Sequence, residues 1–378
     1  MKKIMFLTGT RADYGKIKSL MKKVDTELNF ELFLFVTGMH MLSRYGSTWR
    51  EIEKDGFTNV YHFINQSKNT HMDLALSSTI SGLSNYISEI EPDLIVVHGD
   101  RLEALAGAIV GAFNNVLVAH IEGGEVSGTI DESIRHAITK LAHIHFVSNE
   151  ESKKRIIQLG ENQQSIYVIG SPDIDIMYSN HLPSIDVVKS RYEIPFNDYA
   201  ILMYHPVTTE NHKLRENIRL LVESLIKTQN NYVVIYPNND LGSDIILEEY
   251  KKLKGNPRFL IYPSIRFEYF LTLLKNAKFI IGNSSAGIRE SVVYGIPTID
   301  VGSRQKGRYK LSDNLHIRHV EESLKSIQEA ITKVQSDRNL KQTQSIFGQG
   351  DSADRFIEIL RKPQIWEIQI QKKFSDLY

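Results

Sequence analysis

Three carboxylates stand where short apolar runs give way to polar turns. The run Leu94–Val97 is followed by His98-Gly99-Asp100-Arg101 and the run Val116–Ile121 by Glu122-Gly123-Gly124-Glu125, after which a loop leads to Asp131-Glu132 at a helix start. Carboxylates gathered from neighbouring strand ends make an acid/base cluster. Two of them also have plainer roles, because Asp131 fits a helix N-cap and Asp100 can cap the helix that follows it. Glu122 resists such a reading: an acid between an apolar run and a Gly-Gly turn is poor strand chemistry and is expensive unless used. Further along, Tyr204-His205-Pro206 ends another apolar run. A histidine there serves as a proton donor if it meets those acids and as a structural residue if it does not.

Two turns have the composition of anion sites. Thr8-Gly9-Thr10-Arg11 feeds a helix amino terminus, where backbone N–H groups and a guanidinium suit a phosphate or diphosphate. No Gly-Lys-Ser/Thr follows, so this is not a P-loop; a tight turn carrying a surface arginine would look the same. The second is Asn283-Ser284-Ser285-Ala286-Gly287, a small-residue turn before a helix start that offers N–H groups and hydroxyls. Glu290, one turn on, suits a ribose diol or else is a solvated first-turn acid. His136, His143 and His145 lack a carboxylate at metal-ligand spacing, so they read as packing residues and no metal is expected.

The elements that must carry these loops alternate. Almost continuously apolar runs at Ile4–Thr8, Phe30–Val36, Leu94–Val97, Val116–Ile121, Ile144–Val147 and Ile166–Ile169 fill the first half, and Ala200–Tyr204, Tyr232–Tyr236, Phe259–Tyr262, Phe279–Ile281 and Thr298–Val301 the second. Such runs are parallel strands buried on both faces. Helical patterns such as Arg101–Phe113, Asp131–Leu141, Arg215–Lys227 and Arg266–Lys275 lie between them. The fold class is therefore α/β, with two doubly wound, Rossmann-like domains and ligands expected beyond the carboxyl ends of the strands. Pro172, Pro183 and Pro195 interrupt the alternation, giving domains at 1–180 and 190–360. A last helix over 361–378 can pack back on the first domain. Two domains imply a cleft, and the active site is expected there.

The chain has 378 residues, of which 42% are hydrophobic, enough for two cores. Lys+Arg 45 balance Asp+Glu 45, so no global positive field draws nucleic acid or anionic lipid. The absence of cysteine excludes a disulfide scaffold, a thiolate metal site and a cysteine nucleophile. No apolar segment approaches the roughly 18 residues of a membrane span, and Met1-Lys2-Lys3 leads into too short an apolar run for a signal peptide. A cytoplasmic location is expected.

The sequence also resembles a known family. His98–Arg101, His120–Asp131, Ser133–Lys140, His205–Thr209 and Gly282–Glu290, in order from Arg11 to about Arg308, resemble the hydrolysing UDP-N-acetylglucosamine 2-epimerases of sialic acid biosynthesis. The resemblance implies a GT-B-like pair of domains, with UDP mainly on the second. It implies catalytic roles for Asp100, Glu122, Asp131 and His205. It implies UDP contacts at Arg11, Ser284, Ser285 and Glu290, with Arg101 near, and Asn283 and Gly287 belong to the same binding turn. No cofactor is implied, and a homodimer or homotetramer is. The implied reaction converts UDP-N-acetylglucosamine and water to N-acetylmannosamine and UDP by elimination to a glycal and rehydration. The same motifs serve UDP-N,N'-diacetylbacillosamine; a GT-B glycosyltransferase would share the fold but need an acceptor site, and a UDP-sugar-binding module would have no reason to keep Glu122, Asp131 and His205.

Overall fold

The computed structural model describes residues 1–67, 70–127, 130–309, 316–336 and 347–374. The first half forms β1 (Lys2–Thr8), β2 (Phe30–Val36), β3 (Val60–His62), β4 (Leu94–His98), β5 (Leu117–Ile121), β6 (Ile144–Val147) and β7 (Ile166–Val168). They pair in the order β3-β2-β1-β4-β5-β6-β7, parallel throughout. The second half forms β8 (Ala200–Met203), β9 (Tyr232–Ile235), β10 (Phe259–Tyr262), β11 (Ile280–Gly282), β12 (Thr298–Val301) and β13 (Ile317–Val320). Their order is β10-β9-β8-β11-β12-β13, again parallel. Both are doubly wound sheets, with the strand order reversing between β1 and β4 and between β8 and β11. In open sheets of this kind ligands bind beyond the carboxyl ends of the strands at such a reversal.

Helices cover both faces of the first sheet because its strands are apolar on both. One face packs Ile4, Phe6, Ala119 and Phe146 against Ile17, Leu20 and Val24 of the helix Arg11–Asp25. The other packs Met5, Val97 and Val118 against Ala104, Ala108 and Ile138. In the second sheet, Leu202, Val234, Ile281 and Ile299 meet Ile218, Leu221 and Ile331.

Contacts divide the chain into a first unit of Met1–Glu125, Asp131–Asn180 and Ile346–Tyr378, and a second of Val126–Ile130 and His181–Ser345. The expected second domain, 190–360, is thus corrected at its end. The helix Ser352–Leu360 belongs to the first unit, because its apolar face of Ala353, Phe356, Ile357 and Leu360 joins the first core. Phe356 lies 6.1 Å from the Phe6 ring and 4.8 Å from that of Phe146. Asp175 caps this helix, accepting from the Ser352 and Ala353 N–H groups at 2.9 and 2.8 Å.

The expected helix over 361–378 is also corrected. Its described part holds a 3-10 turn at Pro363–Glu367 and then an irregular strap, while 375–378 lie outside the described residues. Lys372 Nζ donates to the carbonyls of Thr139, Lys140 and Ala142 at 3.2, 2.9 and 2.8 Å, closing the carboxyl end of the helix Ile130–Leu141. Among the described residues no helix is long and apolar enough to cross a membrane.

Candidate active site

In the first unit the candidate residues gather at the reversal of strand order. The β4–β5 register pairs His98 with Ile121, so Glu122, the next residue, falls beside the His98 turn. Glu122 has left the strand: its φ is +64°, a left-handed conformation that costs a non-glycine residue about 1–2 kcal/mol. The expectation that this acid is misplaced for strand chemistry thus has a backbone counterpart. Its Oε1 accepts from Ser171 Oγ at 2.7 Å and its Oε2 lies 3.3 Å from His98 Nε2. The other His98 nitrogen, Nδ1, is 2.6 Å from Asp13 Oδ1. Burial alone would lower the His98 pKa, but the Glu122 charge and the hydrogen bonds of Asp13 and Glu122 push it up to about 10.

Asp100 does not cap the helix after it. Arg101 is the N-cap residue, without a side-chain cap, and Asp100 instead pairs with the buried Arg135 guanidinium, which also donates to the Glu125 carbonyl at 2.9 Å. Burial works against the charged Arg135, but the charges of Asp100, Glu125, Glu122 and Asp131 together raise its pKa above the ordinary guanidinium value. One cation therefore serves four acids. Asp131 is the second residue of the helix Ile130–Leu141, half-buried in its first turn and not its N-cap. Arg11 pairs with Glu51, and Arg101 Nε lies 3.4 Å from the buried Glu103.

Asp13, His98, Arg135 and Ser171 were not singled out by the sequence reading. His98 and Arg135 lie inside the motif runs, which is a usable signal. Ser171 follows β7 and carries none.

His120 and His40 sit under these loops in the neutral form. His120 Nε2 donates to the Gly99 carbonyl at 2.8 Å, tying the Asp100 turn to β5, and its Nδ1 is 3.2 Å from Thr139 Oγ1. His40 lies between Thr8 and Thr48. Burial lowers each pKa to about 3. These folded values lie below the unfolded 6.5, so the stability they represent is complete above pH 6.5 and drains as the pH falls toward 3. One pH unit below 6.5 the loss is roughly 1.4 kcal/mol per ring. His98, with its pKa pushed up to about 10, gains a similar amount over the same interval and offsets one of the two rings, so the melting temperature, followed by calorimetry, is expected to fall by a few degrees between pH 7.5 and 5.5. A flat profile over that interval would contradict the buried neutral rings.

In the second unit the β8 and β11 ends meet across the corresponding reversal. Gly282, with φ +134°, permits this, because a Cβ there would lie 1.9 Å from the Met203 carbonyl oxygen. Asn283 then spans the junction: its Oδ1 accepts from His205 N–H at 2.6 Å and its Nδ2 donates to the His205 carbonyl at 2.9 Å. Asn283 is 1% exposed. Its amide orients the His205 loop. His205 Nδ1 accepts the Asn238 backbone N–H at 3.0 Å, so in the neutral ring the proton resides on Nε2. That is the tautomer a proton donor requires.

The expected helix start at Ser285 is a 3-10 turn, Ser285–Gly287, and the α-helix begins at Glu290 and runs only to Tyr294. The turn uses several of its own N–H groups: Ala286 N donates to Ser284 Oγ, Gly287 N to the Ser284 carbonyl, and Ile288 N and Arg289 N to the Ser285 carbonyl. The expected row of outward N–H donors is largely spent, and the hydroxyls of Ser284 and Ser285 remain the chemistry this turn offers. Glu290 is buried and is not a solvated acid. Among the described residues no cluster of three or more His, Asp or Glu is placed to hold a metal ion.

A sequence model of the family described as UDP-N-acetylglucosamine 2-epimerase matches residues 22–361. The chain is 47% identical over 380 residues to the UDP-N-acetylglucosamine 2-epimerase of Neisseria meningitidis serogroup B, covering 100% of both proteins. It is 32% identical to the UDP-N,N'-diacetylbacillosamine 2-epimerase (hydrolyzing) of Legionella pneumophila, covering 96% of each. Its fold is similar to that of a crystal structure of UDP-GlcNAc 2-epimerase from Neisseria meningitidis bound to UDP-GlcNAc, with a TM-score of 0.78 at 18% identity over 95% of this chain and 99% of that one.

Proposed function

The chain belongs to the UDP-N-acetylglucosamine 2-epimerase family, and from that premise we propose that it hydrolyses UDP-N-acetylglucosamine with inversion at C2, releasing N-acetylmannosamine and UDP as a first step towards sialic acid. The observation that carries this reading is 47% identity along the whole of both chains to a UDP-N-acetylglucosamine 2-epimerase. The acids at the strand ends of the first unit supply the chemistry that such a reaction needs.

The C2–H of an N-acetylhexosamine is not next to a carbonyl and has no ordinary acidity. Breaking C1–O to UDP ahead of proton loss gives C1 oxocarbenium character, which acidifies C2–H. Proton loss then yields a glycal, and water adds at C1 while a proton returns to C2 on the opposite face. Glu122, Asp131 and Asp100 divide the work of taking the proton, stabilising positive charge and activating water. His205 Nε2–H donates a proton. Arg11, Arg101 and the Ser284–Ser285 hydroxyls stabilise the departing diphosphate, as positioned donors do for developing anionic charge, and Glu290 takes the ribose diol. The leaving group is stabilised by these groups, so the scheme calls for no metal or cofactor. The protein works in the cytoplasm, where UDP-sugars are available, as a homodimer or homotetramer.

A second reading keeps the reaction and changes the sugar to UDP-N,N'-diacetylbacillosamine, favoured by the 32% identity to an enzyme of that name. One experiment separates the two. The protein is incubated with each UDP-sugar in turn and the released sugar identified by NMR. Free N-acetylmannosamine from UDP-N-acetylglucosamine is the expected product; release of free sugar only from the diacetylated substrate establishes the second reading, and release from neither overturns both.

A further inference from the structure

The reaction scheme leaves open which carboxylate accepts the C2 proton. We propose that His98, bridging Asp13 and Glu122, is a positioning residue that fixes Glu122 as the ionised, proton-accepting carboxylate. This rests on the 2-epimerase reading above and deepens it.

The geometry fits a doubly protonated ring between two carboxylates. His98 Nδ1 faces Asp13 Oδ1 at 2.6 Å and Nε2 faces Glu122 Oε2 at 3.3 Å. A neutral ring would set a nitrogen lone pair against one of the two carboxylates. With a proton on both nitrogens the ring donates to Asp13 and holds its positive charge 3.3 Å from Glu122 Oε2 as an ion pair. The flanking groups are themselves held. Asp13 lies in the first turn of the helix Arg11–Asp25, where the helix dipole favours an anion, and its Oδ2 accepts from Gly9 N–H at 3.2 Å. Glu122 is fixed by the Ser171 hydroxyl, by its own N–H to the Phe146 carbonyl at 3.1 Å, and by its left-handed backbone. His98 is 9% exposed and Glu122 8%, so water does little to dilute the effect.

The other groups acting on this pair reinforce it. Arg135, on the helix Ile130–Leu141, adds a second cation felt by Glu122, Asp100, Glu125 and Asp131. His120, on β5, stays neutral, its pKa lowered to about 3 by burial. The pKa of His98 itself, pushed up to about 10, agrees with a ring that remains charged through the working range. Ser171 hydrogen-bonds to Glu122 and not to the imidazole, so the group is not a serine nucleophile with its base.

In the reaction, the C2–H bonding electrons become the C1=C2 double bond as C1–O breaks toward UDP. The proton passes to Glu122. A carboxylate already ionised beside a fixed cation is ready for that transfer, and the same cation keeps it from resting as the neutral acid.

Two measurements test this. In the resting protein labelled with ¹⁵N-histidine, His98 is assigned by its loss in His98→Gln or, failing that variant's folding, by its displacement in Asp13→Asn. Both ring nitrogens are expected to be protonated from pH 6 to 9, and in Asp13→Asn the ring is expected to lose its proton within that window. A neutral His98 at pH 7.5 in the unaltered protein overturns the proposal, whatever the enzyme turns over. In kinetics, His98→Gln keeps an amide donor without the charge, and the acid limb of kcat is expected to move up by about one pH unit or more, with partial recovery at high pH. A loss equal at every pH, with the limb unmoved, shows a merely structural role. Failure of the unaltered protein to release any epimerised sugar strikes the proposed function instead, and the NMR result still decides the state of His98.

Discussion

Glu122→Gln and Asp131→Asn each lower turnover by at least about 10²-fold, the lower range for loss of an acid/base group, while UDP affinity stays within about twofold. The two substitutions are nearly isosteric, so the loss reports proton transfer and not packing. Gln at 122 retains an oxygen for the Ser171 hydroxyl, which Glu122 now accepts at 2.7 Å. It cannot take a proton from carbon. Asn at 131 keeps its place in the first turn of the helix Ile130–Leu141 but removes one of the carboxylates around Arg135. UDP affinity is spared because the residues proposed to hold the nucleotide include Ser284, Ser285 and Glu290 of the second unit. Steady-state release of UDP and calorimetric titration with UDP measure the two quantities, and a melting curve confirms that each variant is folded. Near-normal turnover in both variants would remove these acids from the mechanism.

The parts legible in sequence were those written locally. Continuous apolar runs marked the interior strands because parallel strands under helices on both faces can hold little else. The two missed strands are edge strands. In β3, Val60-Tyr61-His62 has no fully buried residue, and in β13, Ile317-Arg318-His319-Val320 mixes two basic residues into four positions. The helix Ser352–Leu360 announced its amphipathic face but not which sheet that face would meet, since the aromatic pocket of Phe6 and Phe146 lies far away in sequence. Glu122 could be found because a misplaced acid violates strand chemistry at one position. Asp13 could not, because it is ordinary where it stands; His98 is marked by its motif run, but its role comes only from the contact with Asp13 across 85 residues. The same holds for Ser171 and Glu122, 49 residues apart, and for Arg135 and Asp100, 35 apart. A helix start at Ser285 was expected from small residues after a strand, but the turn closes on Ser284 and Ser285 themselves, and no local pattern distinguishes the two.

Product formed in D₂O carries deuterium at C2 in nearly every molecule. The reason is that the C2 proton leaves to a side chain and the returning proton arrives on the opposite face, from a different group in contact with water. If Glu122 accepts the first proton from one face of C2, inversion requires the returning proton to reach the other face from a second group, and Glu122 discharges its own proton to solvent before the next turnover. Bond labelling gives the second half of the result. UDP released from substrate carrying ¹⁸O in the glycosidic bridge keeps the label, because C1–O is the bond that breaks, and the sugar takes its C1 oxygen from water. A glycosyltransferase acting as a slow hydrolase would also leave ¹⁸O on UDP, but it would release N-acetylglucosamine with its C2 proton in place. A binding module would release nothing. Mass spectrometry of UDP and proton NMR at C2 of the free sugar read both labels from one incubation. Free mannosamine-configured sugar without deuterium at C2 would defeat the exchanging elimination, and epimerised sugar still attached to UDP would show that water does not add at C1.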